Sequence, residues 1–567
     1  MPTVETNFED LQTLLGIQLP TNTDELNEIL SYVKGEVEQL SEGDLSIEIK
    51  DSNHPDLWCV EGIARALGGF LDLEKGMKSY SVAGSSGVDV SVDPALQNIR
   101  QYMACAVVKN VGLTDVIIRG MMHLQDKLDQ TYGRRRRRTS IGLYDFDLIK
   151  PPLRYKVTKP SETSFIPLGF AEKMTLREIL KKHPKGLEYG YIVNRYKEWP
   201  IILDEKDDVL SFPPIINSND LGRITEETKN ILIEVTGTVH ETVLNTLITM
   251  AVSLADRGGE TLSSIIHYSS PKAMDVETPE LKSKSMNLDV HYVEKVLGLG
   301  LSNSEIVHLL EKARYDAMEQ GEATVTVQVP CYRMDIMHPV DIVEDIAIAY
   351  GLNNIEPRWP QMPTVGAITS REKFCDILRE IMTGLGFQEV LTYSMTNVEH
   401  LFTKMNLTPS RAIEVANPKM TSLTCLRSWL LPSIMKFLSN NTHVDYPQKI
   451  FEVGLCVVSD KKCETLSRDV KTLACTLTYS KASFTELKSI LDSLLSNIGI
   501  RYEIKETKHG SFMDGRVGRI SVKGREVGIM GEINPKVLES WRIENPTAAF
   551  ELDADSLLDV RQREKQD

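Results

Sequence analysis

No two of the eight cysteines stand at Cys-x-x-Cys spacing, which argues against a zinc site and against a disulfide framework. They are scattered from Cys59 to Cys475, several in apolar strings such as Ala104-Cys-Ala-Val107 and Leu473-Ala-Cys-Thr-Leu477. Buried, reduced thiols are expected. Apolar runs such as Ile231-Leu-Ile233 fall far short of the roughly 20 residues of a membrane span, so no membrane contact is expected. The opening Met1-Pro-Thr-Val-Glu-Thr6 carries no basic stretch leading into an apolar one, and the expected location is the cytoplasm. Positive charge is also scarce. A net charge of -16 excludes a general nucleic-acid binder and leaves any RNA contact to a local patch. The one sharp basic patch, Arg134 to Arg138, is either a solvated loop or a phosphate contact. Gly298-x-Gly300 lacks the third glycine and the preceding strand of a dinucleotide loop and reads as a turn before a helix. No internal repeat of solenoid period is visible.

What is present is ordinary globular chemistry on a large scale. The 567 residues are 41% hydrophobic and 25% charged, and that length implies roughly four domains. The first, 1–85, pairs a strand at Leu45–Ile49 with a helix from Asp56 to Leu67, ended by Gly68-Gly69. The second, 86–270, opens on alternating Val88, Val90 and Val92, followed by a helix from Val116 to Tyr132 with a Met and Leu stripe. Its strand candidates are Tyr191–Val193, Ile201–Leu203, Val209–Ser211 and Ile231–Val235. In the third, 271–353, Ser302 and Glu305 form a capping box for a helix through Met318, and Thr324–Val329 alternates as a strand. A proline-rich linker at 357–364 leads to the fourth, 365–560. That domain holds a helix Arg371–Leu385, a strand Glu389–Ser394, a helix Leu430–Leu438 and the strand around Lys449–Gly454. The fold class is α+β multidomain.

The densest chemistry lies between Arg333 and Gly351. Asp341, Glu344 and Asp345 share one face of a helix from Val340 to Tyr350, and Asp335 precedes it. Four carboxylates so placed can make an all-oxygen cluster for a hard cation such as magnesium. The same residues also fit an acidic first helical turn, with Asp341 and Glu344 as a variant capping box. Residue types alone leave both readings open.

The wording of this stretch, Arg333-x-Asp335-Ile … Asp341-Ile-Val-Glu-Asp-x-Ala-x-Ala-Tyr-Gly351, resembles the phenylalanyl-tRNA synthetase beta subunit of the archaeal and eukaryotic cytosolic type. The resemblance extends through Asn53-His-Pro-Asp-Leu57, Leu210-Ser-Phe-Pro-Pro-Ile-Ile-Asn217, Arg223-Ile-Thr225, Glu234-Val-Thr-Gly-Thr238, Leu426-Arg427 and Ile450-Phe-Glu-Val-Gly454, in the family's order. It implies magnesium on Asp335, Asp341, Glu344 and Asp345. It also implies an alpha subunit as partner in an alpha-two beta-two assembly, which charges phenylalanine tRNA using ATP at the alpha-subunit active site.

The resemblance further implies that 86–270 is an editing domain, that 271–353 is a small metal-binding module, and that 365–560 is a class II synthetase-like antiparallel domain without catalytic residues. Such a catalytic fold needs arginines on the ATP phosphates. Ile450 stands where one belongs, and Gly528-Ile-Met-Gly-Glu-Ile-Asn-Pro535 lacks the other. Ser211, Glu234 and Thr236 match the family's editing pocket, with Arg223 in family-like wording between them. Glu234, Thr236 and Thr238 also alternate as a solvated strand face would. A structural, tRNA-binding scaffold and a stand-alone hydrolase of mischarged tRNA remain as alternatives, the second disfavoured by the long inert domain.

Overall fold

The valine alternation at 88, 90 and 92 folds as the strand Ser85–Val92, which joins the largest sheet of the molecule. The computed structural model describes residues 2–41, 43–51, 53–269, 274–321, 323–362 and 364–564. These fall into two compact units, Met1–Arg358 and Trp359–Asp567.

In the first unit, ten strands make one mixed sheet. Its order runs from Ile216–Asn217 and Val209–Phe212 at one end to Ile231–Gly237 and Thr139–Asp145 at the other. Ile231, Ile233 and Val235 face the helices Asp115–Gln130 and His240–Ala255 in one apolar cluster, with Met121, Leu124 and Leu128 of the expected stripe. Side chains alternate along a strand, so Leu232, Glu234 and Thr236 face the other way. Leu232 there joins Cys105 and Tyr144 in a second cluster. Every residue of Ile231–Gly237 is buried, which removes the solvated-face reading.

The expected boundary between 270 and 271 cuts this sheet, because Met274–Thr278 pairs with Glu260–Tyr268. Thr278 Oγ1 secures it by donating to the Cys105 carbonyl at 2.7 Å. Tyr191–Val193 is not a strand: Gly190–Ile192 is a single 3-10 turn.

The N-terminal part carries a three-stranded sheet of Thr3–Asn7, Asp44–Ile49 and Gly35–Ser41. The helix expected to stop at Gly68-Gly69 instead spans Val60–Phe70. Gly69 serves close approach, since a Cβ there would clash with the Lys312 carbonyl and lie 2.5 Å from Arg314 Cδ. A further three-stranded sheet, Lys284–Asp289, Thr324–Val329 and Asp316–Glu319, packs with the helices Val290–Leu297, Asn303–Lys312 and Pro339–Tyr350. The Ser302–Glu305 capping box forms as read, but its helix ends at Lys312. Arg314 turns left-handed (φ 68), which frees Asp316–Glu319 to pair with Thr324–Val329.

The second unit is a seven-stranded sheet, antiparallel except where Gln388–Glu389 runs parallel to Gln448–Ser459. Ser370–Gly384, Phe484–Asn497 and Ala554–Glu564 cover one face. Leu431–Asn440 and Pro535–Trp541 cover the other. The strand expected at Glu389–Ser394 pairs only at its start. Val390 N–H still donates to the Phe451 carbonyl at 2.8 Å, and Leu391 and Tyr393 beyond it are exposed.

Candidate functional site

The sheet of the first unit curls until its two ends meet. Tyr144 of one end strand approaches Asn217 of the other, hydroxyl to Oδ1, at 3.3 Å. Between the ends lies a cavity of about 220 Å³ lined by Ser211, Asn217, Glu234, Arg136, Ser140 and Lys185, among others. One bridging water needs only about 10–15 Å³ of such space, so the cavity is far larger than a water site.

Glu234 is 3% exposed and its Oε2 accepts a 2.9 Å hydrogen bond from the Tyr144 hydroxyl. Gly142 makes this pair possible, because a Cβ there would clash with that hydroxyl and stand 2.6 Å from Oε2. Burial pushes the Glu234 carboxyl up to about 7, opposed by the Tyr144 hydrogen bond and the Arg100 charge. Its other oxygen, Oε1, is buried without a protein hydrogen-bond partner, and so is Ser211 Oγ. Each such orphan costs about 1–3 kcal/mol. Both belong to residues that line the cavity.

Thr236, the third expected residue, does not line the cavity. It anchors Arg100, whose Nε donates to Thr236 Oγ1 at 3.0 Å while Nη2 reaches Ser140 Oγ at 2.9 Å. Arg223 is exposed, next to Gly222 on the cavity wall. The basic patch splits. Arg136 is buried and pairs with Asp129 at 2.9 Å; it donates to the carbonyls of Pro214 and Ile215 on the cavity wall at 3.2 and 3.0 Å. Sequence reading missed Arg136 as a wall residue and missed Tyr144 altogether. Gly142 inside an apolar strand was the available signal, since such a glycine marks a close approach.

In the acidic segment the four carboxylates Asp335, Asp341, Glu344 and Asp345 each have partners and do not converge on one point. Asp341 caps the helix Pro339–Tyr350, accepting from the backbone N–H groups of Met337 and His338 at 2.8 Å. Glu344, exposed, pairs with Lys34 at 2.6 Å. Asp335 and Asp345 both take Arg333, at 2.6 and 2.7 Å, and the Tyr315 hydroxyl donates to Asp345. Burial would raise the Asp335 carboxyl, but Arg333 and His54 hold it down at about 2. Among the described residues, the acidic or histidine groups close enough to share a cation are His54, Asp56 and Asp335, and Arg65 and Arg333 already flank them. Guanidinium groups already serve the two carboxylates among these three as counter-charges.

In the second unit, Ile450 is a core residue. Two strand positions on, Glu452 is fully buried and ion-paired with Arg427 at 2.8 Å, and the Thr392 hydroxyl donates to its other oxygen at 2.6 Å. Glu551 accepts the Leu430 and Leu431 N–H groups at the start of the helix Leu431–Asn440, and burial pushes it up to about 7. Gly528 and Gly531 lie within the strand Arg525–Ile533, which leads only into the short helix Pro535–Trp541.

Residues 355–554 match the model of the phenylalanyl tRNA synthetase beta chain CLM domain, and residues 286–352 match the tRNA synthetase B5 domain. The phenylalanine--tRNA ligase beta subunit of Pyrococcus horikoshii is 43% identical over 97% of this chain and 99% of its own. The chain belongs to the phenylalanine--tRNA ligase beta-subunit family. The Archaeoglobus fulgidus beta subunit is 38% identical over 99% of both chains. A crystallised N-terminal fragment of the Pyrococcus horikoshii beta subunit superposes on 62% of this chain and 100% of its own, with 40% identity and a TM-score of 0.59. As a beta subunit, the chain implies an alpha subunit beside it in the ligase. Its cysteines are free thiols, six of them buried, and among the described residues no helix is long and apolar enough to cross a membrane.

Proposed function

We propose that this beta subunit hydrolyses tyrosine wrongly esterified to phenylalanine tRNA, in the cavity walled by Glu234 and Ser211. Phenylalanine activation with ATP belongs to the alpha subunit, which the second unit scaffolds in an alpha-two beta-two assembly. The need follows from chemistry. A pocket shaped for phenylalanine cannot strongly reject an isostere that only adds a hydroxyl, so a second site must recognise that hydroxyl. The observation that carries the reading is the pair of partnerless oxygens, Glu234 Oε1 and Ser211 Oγ, on one cavity wall. A tyrosyl phenol can donate to Glu234 and accept from Ser211; a phenylalanyl ring leaves both unmatched.

Tyr144 fixes the carboxylate so that its free oxygen is held for the phenol, and Thr236 with Arg100 stiffens the wall behind it. Hydrolysis adds one water across the ester, releasing tyrosine and restoring the terminal hydroxyl of the tRNA. The neighbouring ribose hydroxyl can orient that water. No step runs through magnesium. The test is deacylation of tyrosyl-tRNA by the full assembly. Glu234→Gln, which keeps size and hydrogen bonding but not charge, should slow it, and an unchanged rate would defeat the reading. A purely structural role for Glu234 is the competing reading, favoured by its existing bond to Tyr144; it predicts that Glu234→Gln alters melting and leaves deacylation intact.

A further inference from the structure

We infer that Arg134, Arg135 and Arg137 form a phosphate-binding edge at the mouth of the Glu234 cavity, which holds the single-stranded end of an RNA. The inference deepens the editing proposal by naming how its substrate is gripped. In an acidic chain, five consecutive arginines need a reason. Arg136 has a structural one, as the buried clamp on Pro214 and Ile215, and Arg137 reaches only the exposed Tyr191 hydroxyl, at 3.4 Å. Arg134, Arg135 and Arg137 are exposed, and among the described residues no carboxylate pairs with them.

The backbone is also held against its preference. Arg134, Arg135 and Arg136 adopt φ of 49, 55 and 62, a left-handed conformation that L-residues with a side chain disfavour. A solvated loop free to choose would place glycine or asparagine there. The turn is fixed by backbone bonds from Arg135 to Gln130 and from Arg136 to Asp129, at 3.0 and 2.9 Å. One exposed aromatic ring lies beside the cations: Arg137 sits over the half-exposed Tyr191 at 5.4 Å, whereas Tyr189, under Arg136 at 4.5 Å, is buried and only supports the turn. Cations for phosphates beside a ring for a base are the chemistry of single-stranded nucleic-acid binding. Arg136 and Lys185 also line the cavity itself, so a strand on this edge ends at Glu234.

The test uses the full alpha–beta assembly and the variant Arg134→Gly/Arg135→Gly/Arg137→Gln. Glycine suits the two left-handed positions, so charge is lost without new backbone strain, and an unchanged melting temperature certifies the fold. Affinity for phenylalanine tRNA is measured against salt, for intact tRNA and for tRNA trimmed of its unpaired 3′ end. Three lost phosphate contacts should flatten the logarithmic salt slope by about 2, at about 0.7 per contact for a single strand. The flattening should appear with intact tRNA and vanish with trimmed tRNA, and triple lysine substitution should restore the slope. An unchanged slope, or the same flattening with trimmed tRNA, overturns the inference. Failure of the wild type to deacylate tyrosyl-tRNA would overturn the editing proposal instead, and the salt slopes would still decide this one.

Discussion

Two strands, one in each unit, bury a glutamate. In Gln448–Ser459, Glu452 meets Arg427 on one oxygen and Thr392 on the other. In Ile231–Gly237, Glu234 meets Tyr144 on one oxygen and nothing on the other, and that other oxygen shares a cavity wall with Ser211. The first carboxylate is fully compensated and serves structure. The second keeps one oxygen without a protein partner beside the cavity, and the editing proposal rests on that difference. Burial alone does not separate the two; unspent hydrogen-bonding capacity beside a cavity does.

The sharpest way to break this comparison is to look for ligation chemistry on the Glu452 side. Beta subunit purified alone should show no phenylalanine-dependent pyrophosphate exchange, and exchange should appear when the alpha subunit is added. Ile450 sits in apolar packing, and the buried carboxylates near it are already engaged, Glu452 by Arg427 and Glu551 by the Leu430 and Leu431 N–H groups. Exchange by the lone chain would overturn the inert-domain reading. Next in size is Arg427→Ala, which leaves Glu452 buried and uncompensated and should destabilise the second unit by about 3–5 kcal/mol. Urea unfolding monitored at Trp429 and Trp541 reads it, and a loss below about 1 kcal/mol would show that water reaches Glu452 after all.

The sequence carried the strands well because their alternation is local: Val88, Val90 and Val92, or Thr324–Val329, needed no distant partner. Helix starts were equally local, as Ser302 with Glu305 illustrates. Helix ends were not. Lys312 closes its helix because Arg314 turns left-handed to let a strand pair, and Gly69 stays helical because another segment presses on it. The site divides the same way. Family-like wording pointed to Ser211 and Glu234, yet the cavity exists only because opposite ends of a curled sheet meet, and Tyr144 with Gly142 lies some ninety residues earlier. The partners of the acidic segment were only partly local, since Arg333 lies within it while Lys34 and His54 come from the N-terminal part.

Glu234→Ala sharpens the comparison on the other side. Removing a hydrogen bond to a charged group is worth roughly 1.5–3 kcal/mol, a ten- to hundredfold loss in tyrosyl-tRNA deacylation. Ser211→Ala should cost less, about 0.5–1.5 kcal/mol, since a neutral hydroxyl is lost. Thr236→Ala should act mainly on stability, because Thr236 touches Arg100 and not the cavity. If Thr236→Ala slowed deacylation as much as Glu234→Ala at unchanged melting temperature, the division between wall and anchor would be wrong.

The smallest effect is the most diagnostic, because stability and recognition should move in opposite directions with pH. Burial raises the Glu234 carboxyl to about 7, so the folded state binds its proton more tightly than the unfolded chain does. Its stabilising contribution is fully present below the unfolded value near 4.5 and is lost as pH rises through 7. Between pH 6 and 8 the wild type should therefore lose about 1 kcal/mol relative to Glu234→Gln, which cannot ionise. Acceptance of the tyrosyl phenol needs the ionised carboxylate, so tyrosyl-tRNA deacylation should rise over the same interval. Melting curves and initial rates on one pair of proteins at three pH values decide it. Stability and rate rising together would place the titration on another group and return Glu234 to the company of Glu452.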